Sequence, residues 1–146
     1  MVPFIALTGG FIVLRLIGLV GVDALDAWQP ALRGALALMF VFTGVPHFLS
    51  SWRRDFVAMI PPAIPHPALL VTLTGVLELA GAAGLLFPPT APYAAIGLAV
   101  LMLAMFPANV SAARRGLTLA GKPVTPLPTR TVLQVLFIAA AVAAAA

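Results

Sequence analysis

Cysteine is missing from all 146 residues. Its absence excludes a dithiol–disulfide mechanism carried by this chain alone, and thiolate metal sites with it. Charge is nearly as scarce: Asp, Glu, Lys and Arg make up 8% of the chain, against roughly a quarter in a soluble domain. With 62% of residues hydrophobic and a mean hydropathy of +1.13, the chain reads as one compact integral membrane protein. Eight basic residues stand against four acids, and the pI is near 11.3. That balance does not point to nucleic acid, because no dense basic patch with interleaved aromatics accompanies it.

What is abundant is apolar sequence in long runs. A membrane-crossing helix needs about 20 mostly apolar residues. Five stretches qualify, at Val2–Val22, Ala31–Leu49, Ala68–Phe87, Tyr93–Ala112 and Thr129–Ala146. The first has no Lys or Arg ahead of its apolar core and no A-x-A cleavage site, so it is expected to be a retained helix rather than a signal peptide. Residues 23–30 hold two Asp and residues 88–92 hold no charge. The other two connections, 50–67 and 113–128, with Arg130 just beyond, carry Arg53, Arg54, Arg114, Arg115, Lys122 and Arg130. Five spans put both basic connections on one side, and Lys and Arg mark the cytoplasmic side. The expected topology is therefore N-terminus inside and C-terminus outside.

Short connections predict antiparallel packing of neighbouring helices in a bundle. Ala80 and Gly84, with Gly75, Gly81 and Gly97, offer close approach. In the connection SSWRRDFVAMIPPAIPHP, Trp52, Phe56 and Met59/Ile60 recur at helical spacing, which predicts a short helix lying in the membrane interface. Pro61, Pro62, Pro65 and Pro67 then predict a stiff extended segment leading to the third span and placed to cover the mouth of the bundle. TGVPH at 43–47 is echoed by TGVLE at 74–78, an identity too short to establish a duplication.

Ionisable residues inside a span are costly and need a reason. Glu78 lies near the middle of the third span, and Arg15 is the only other charge deep in one. Their heights from the cytoplasmic ends are about 15 and 20 Å, within reach of an arginine side chain. Two destinations are open to Arg15: an ion pair with Glu78, or snorkelling to the outer interface. His47 closes the second span beside Pro46, Asn109 ends the fourth, and Arg130 and Gln134 start the fifth, one turn apart on one face. Pro46 and Pro107 each remove a backbone donor at this level. The convergence predicts a polar intramembrane pocket formed by His47, Glu78, Asn109, Arg130 and Gln134. His66, between Pro65 and Pro67, reads as exposed. A His47–His66 metal or haem site has too few other ligands.

Arg33, GVPHF at 44–48, MIPPAIP at 59–65, TGVLELAG at 74–81, Leu85-Leu86 before Pro88, FPANV at 106–110 and RTVLQ at 130–134 follow one another in an order that resembles the DoxX-like family of small bacterial membrane proteins. The resemblance runs from about Ala31 to the C-terminus. It implies an all-α polytopic membrane bundle, with a DoxX-like four-helix core at 31–146 and an extra N-terminal transmembrane helix with its short outer loop at 1–30. It also places His47, Glu78, Asn109 and Gln134 at the family's polar motif positions, and the protein in a bacterial inner membrane. Some relatives are associated with thiosulfate:quinone oxidoreduction and others with membrane complexes handling thiol and oxidative stress. A redox-associated accessory subunit is the natural expectation, with a quinone-like or other small amphipathic ligand in the pocket and a membrane or peripheral oxidoreductase subunit as partner. Any electron carrier would come from elsewhere, since the chain has neither a dinucleotide fingerprint nor a haem ligation pattern. The alternatives are a small proton-coupled transporter working through Glu78, which would need to form a homo-oligomer, and a non-catalytic assembly factor. A free-standing enzyme is the least expected, because no nucleophile, base and orienter can be read from the chain.

Overall fold

In a lipid environment backbone amides find no water, so an apolar run of this length satisfies them as helix. The computed structural model, which describes residues 1–146, is all-α apart from one small hairpin. Five helices are long and apolar enough to cross a membrane: α1 (Val2–Leu19), α2 (Trp28–Gly44), α4 (Pro67–Leu85), α5 (Ala91–Arg114) and α6 (Leu127–Ala145). A shorter helix, α3 (Ser50–Met59), lies between α2 and α4. The helices α4, α5 and α6 begin slightly ahead of their predicted apolar runs, because Pro67, Pro92 and Pro128 stand in first turns where a missing amide is harmless. Pro107 lies inside α5 without ending it.

The helices α2, α4, α5 and α6 form a ring, each packed on the next, with α6 returning to α2. Arg33 closes that ring, its Nε donating to the Ala144 carbonyl at 2.9 Å. The remaining helix, α1, packs on α2 at the outside of the ring. Small side chains line the contacts: Ala31, Ala35, Ala91, Ala95, Ala141 and Ala144 are completely buried, around Leu36, Met39, Leu85 and Leu98. In lipid, where association rests on close packing rather than on exclusion of water, such residues let backbones approach. Outward-facing positions are apolar as well, among them Ile12, Leu16, Leu103, Val132 and Val135. Only 25 of 146 residues are buried, so most of the apolar side chains face the surroundings, as they do in a multi-pass membrane protein.

Close approach of α4 to α5 runs through Gly81 and Gly84. A Cβ on Gly81 would lie 2.5 Å from Leu98, and one on Gly84 2.9 Å from Ala94. Gly97, expected to help, does not: a Cβ there meets nothing within 4 Å. It opens instead on a recess of about 210 Å³ shared with Leu77, Ala80 and Leu101.

The helix α3 lies across the end of the bundle, touching the 3₁₀ turn Val45–Phe48 as well as α4 and α5. The proline-rich stretch after it departs from the predicted extended path. It folds into a turn in which the Ile64 amide donates to Pro61 O at 2.9 Å, and exposed His66 takes a left-handed conformation ahead of α4. The α5–α6 connection forms a hairpin of β1 (Thr118–Leu119) and β2 (Lys122–Pro123), turned at Ala120 and Gly121, both at positive φ. That double positive φ matches a tight two-residue turn suited to strand twist.

Between α1 and α2 the chain reverses through a 3₁₀ turn at Asp23–Leu25. A Cβ on Gly18 would lie 2.5 Å from the Leu25 carbonyl carbon and 2.8 Å from the Asp26 amide nitrogen, both backbone atoms that cannot swing aside. Gly18→Ala should therefore lower the apparent Tm in detergent, whereas Gly9→Ala, which meets nothing within 4 Å, should leave it unchanged or raise it slightly.

Candidate functional site

The site begins with a change of helical pitch. After Gly44 the chain tightens from α to 3₁₀ over Val45–Phe48, with Pro46 in its first turn. In a 3₁₀ turn the amide of residue i meets the carbonyl of i−3, which directs His47 N–H to Gly44. The Thr43 carbonyl is thereby left to the imidazole, whose Nδ1 lies 2.9 Å away. A carbonyl can only accept, so Nδ1 carries the hydrogen and a neutral His47 keeps its lone pair on Nε2.

The Thr43 side chain points the other way along the same seam. Its hydroxyl donates to Glu78 Oε2 at 2.6 Å, with the Phe40 carbonyl 3.3 Å away as a second acceptor. The hydroxyl suits either form of the acid. It donates to a carboxylate, or accepts from a carboxylic acid while turning its own hydrogen to Phe40. His47 and Glu78 are 4% and 3% exposed, and each is tied to Thr43. Nε2 of His47 and Oε1 of Glu78 make no hydrogen bond within the protein, yet no side-chain nitrogen or oxygen is both sealed and unpaired. Each of these two atoms is therefore unpartnered and keeps a small accessible surface.

Two glycines make this seam narrow enough. A Cβ on Gly75 would stand 2.6 Å from His47 Cβ, and one on Gly44 would stand 3.2 Å from Glu78 Cβ. The glycine of each TGV motif thus receives the last residue of the other, so α2 and α4 cross antiparallel with the two motifs face to face. The short echo in the sequence pointed to Thr43 and Gly44, and Gly75 was expected to allow close approach; none of the three stands among the predicted site residues.

On its outer side His47 is roofed by α3. Phe56 stacks on the imidazole with ring centroids 4.5 Å apart. Arg53 clamps the roof down: its guanidinium donates to His47 O at 3.1 Å, Ala68 O at 2.9 Å and Thr72 Oγ1 at 2.8 Å. The far end of α3 is held by Arg115, which donates to the Ala58 and Ile60 carbonyls, and by Asp55, which accepts from Ala120 N at 2.8 Å. Over His47 itself, Phe56 supplies the cover.

The other predicted residues form a second group. Arg130 Nη1 donates to Asn109 Oδ1, and Gln134 Nε2 donates to Met102 O at 2.7 Å, both bridging α5 and α6. No hydrogen bond links this group to His47, Thr43 and Glu78. The Arg15–Glu78 ion pair, one of the two destinations open to Arg15, is not formed. Arg15 Nη1 donates to the carbonyls of Leu25, at 3.1 Å, and Asp26. The reason is placement: α1 packs on α2 rather than α4, and the reversing turn brings carbonyls with unused acceptor capacity close to the guanidinium.

Thr43→Val removes the donor to Glu78 at almost constant volume. It should cost about 1–3 kcal/mol, as expected when a buried polar group loses its partner, with Thr43→Ser recovering most of the loss; thermal unfolding in detergent reads both. Phe56 shields the imidazole. In a His66→Gln background, where His47 is the sole histidine, Phe56→Ala should speed acylation of His47 by diethylpyrocarbonate severalfold. An unchanged rate would show that Phe56 is no shield.

No curated protein and no solved structure matches this chain. A family model described as a domain of unknown function, DUF8561, matches residues 36–145. That range takes in His47, Glu78, Asn109, Arg130 and Gln134 and leaves out α1. Spanning most of the chain, the match shows that the protein belongs to the DUF8561 family.

Proposed function

We propose that this is a DoxX-like protein of a bacterial inner membrane that binds a small amphipathic molecule with a quinone-like head at the Thr43–His47–Glu78 seam. In this reading it serves as an accessory subunit to a membrane or peripheral oxidoreductase. The observation that carries the proposal is the pair of unpartnered polar atoms, His47 Nε2 and Glu78 Oε1, on side chains otherwise enclosed between apolar helices. Polar atoms held this deep in a bundle are expensive without a partner, and a ligand head would supply one. Because Nδ1 is committed to Thr43, a neutral His47 accepts at Nε2, which suits a ligand hydroxyl, such as that of a reduced quinol, better than a carbonyl. Glu78 can accept from, or donate to, a second oxygen, and Thr43 accommodates both forms. The ligand's tail would lie along the apolar flanks of α2 and α4.

Redox association rests on the motif resemblance, and the orientation, N-terminus inside, on the gathering of basic residues at the α3 end. Asn109, Arg130 and Gln134 remain proposed contacts for a ligand long enough to reach the α5–α6 seam. Mass spectrometry of small molecules co-purifying with the wild-type protein, beside His47→Ala and Glu78→Gln, tests the reading. A stoichiometric amphipathic ligand in wild type, lost from both folded variants, is the expected result. A ligand retained by both would overturn the assignment to this seam.

A further inference from the structure

Six of the eight basic residues gather at the end of the bundle roofed by α3, with Asp55 as the single acid in the connections there. That carboxylate already receives the Ala120 amide. Arg53, Arg115 and Arg130 direct every hydrogen bond they make at carbonyl, hydroxyl or amide oxygens, so their positive charge is held in place without being neutralised. Arg54, Arg114 and Lys122 are exposed and make no side-chain hydrogen bond within the protein. They belong to one surface: Arg54 adjoins Asp55, whose bond to Ala120 brings the hairpin bearing Lys122 against α3, while Arg115, next to Arg114, reaches the end of α3.

The same surface is apolar at its edge. Phe48 and Leu49, one turn before Arg53, are 45% and 47% exposed, and Leu69 at the start of α4 is 65% exposed. An acidic soluble partner would leave these side chains in water. The boundary between lipid headgroups and acyl chains covers both characters at once, with phosphates over the arginines and hydrocarbon against the apolar rim. We infer that the α3 end is a binding surface for acidic phospholipids, with Arg54, Arg114 and Lys122 as the phosphate contacts and α3 lying in the headgroup plane. The inference is independent of what occupies the His47–Glu78 seam.

The test uses the full-length protein purified in detergent and relipidated with dioleoyl phosphatidylglycerol or dioleoyl phosphatidylcholine. The acidic lipid should raise the apparent Tm by several degrees more than the zwitterionic one, and salt should shrink the difference. The Arg54→Gln, Arg114→Gln, Lys122→Gln triple variant should lose that difference while melting like wild type in phosphatidylcholine. Should the variant fold poorly, native mass spectrometry of wild type from equimolar mixed micelles gives a separate reading, with phosphatidylglycerol expected to be retained in excess. Equal stabilisation or retention of the two lipids, a full shift in the well-folded triple variant, or a shift reproduced by inorganic phosphate alone would each overturn the inference.

Discussion

The Thr43–His47–Glu78 group depends on how closely α2 approaches α4. Gly44 and Gly75 set that distance, because a methyl group on Gly75 would occupy the space of His47 and one on Gly44 would press on Glu78. Once the backbones are that close, Thr43 lies within 2.6 Å of the Glu78 carboxyl, and the acid has a donor where water is scarce. A hydrogen bond in such surroundings is electrostatically stronger than in water, and an unmade one is correspondingly expensive. The reciprocal placement of the two TGV segments also gives His47 and Glu78 equivalent positions, each resting on the other helix's glycine. A proton-bearing group from each helix is thus presented to one seam by one local geometry.

The arginines do a different kind of work from that usually assigned to charge. Arg15, Arg33, Arg53, Arg115 and Arg130 all reach backbone carbonyls, many of them at helix ends and turns. The last carbonyls of a helix lack intrahelical partners, and in or near a bilayer water is not always there to supply them. A guanidinium, with five donors in a fixed fork, can serve several such acceptors at once. Arg53 shows the consequence: one side chain joins the end of the 3₁₀ turn to the first turns of α4 and holds α3 over the imidazole. Arg53, Arg115 and Arg130 perform this structural task at the α3 end, where they stand beside Arg54, Arg114 and Lys122.

The sequence by itself determined the class and layout of this protein. Long apolar runs have one backbone solution in lipid, so five spans, their approximate limits and the short helix at 50–59 were legible from hydropathy and spacing. Basic residues crowd two alternate connections, so their common end was legible too, and so was the position of Glu78 near the middle of a span. Which side chains meet was left to tertiary structure. Arg15 had two destinations of similar reach, and the choice turned on α1 packing against α2 rather than α4. Thr43 looked like an ordinary small residue until the pitch change at Val45 released its carbonyl and the glycine contacts brought Glu78 to its hydroxyl. Of the polar residues read at one level, His47 and Glu78 are tied to Thr43, while Asn109, Arg130 and Gln134 make their hydrogen bonds between α5 and α6, because spacing along a helix gives a face but not the neighbour that covers it.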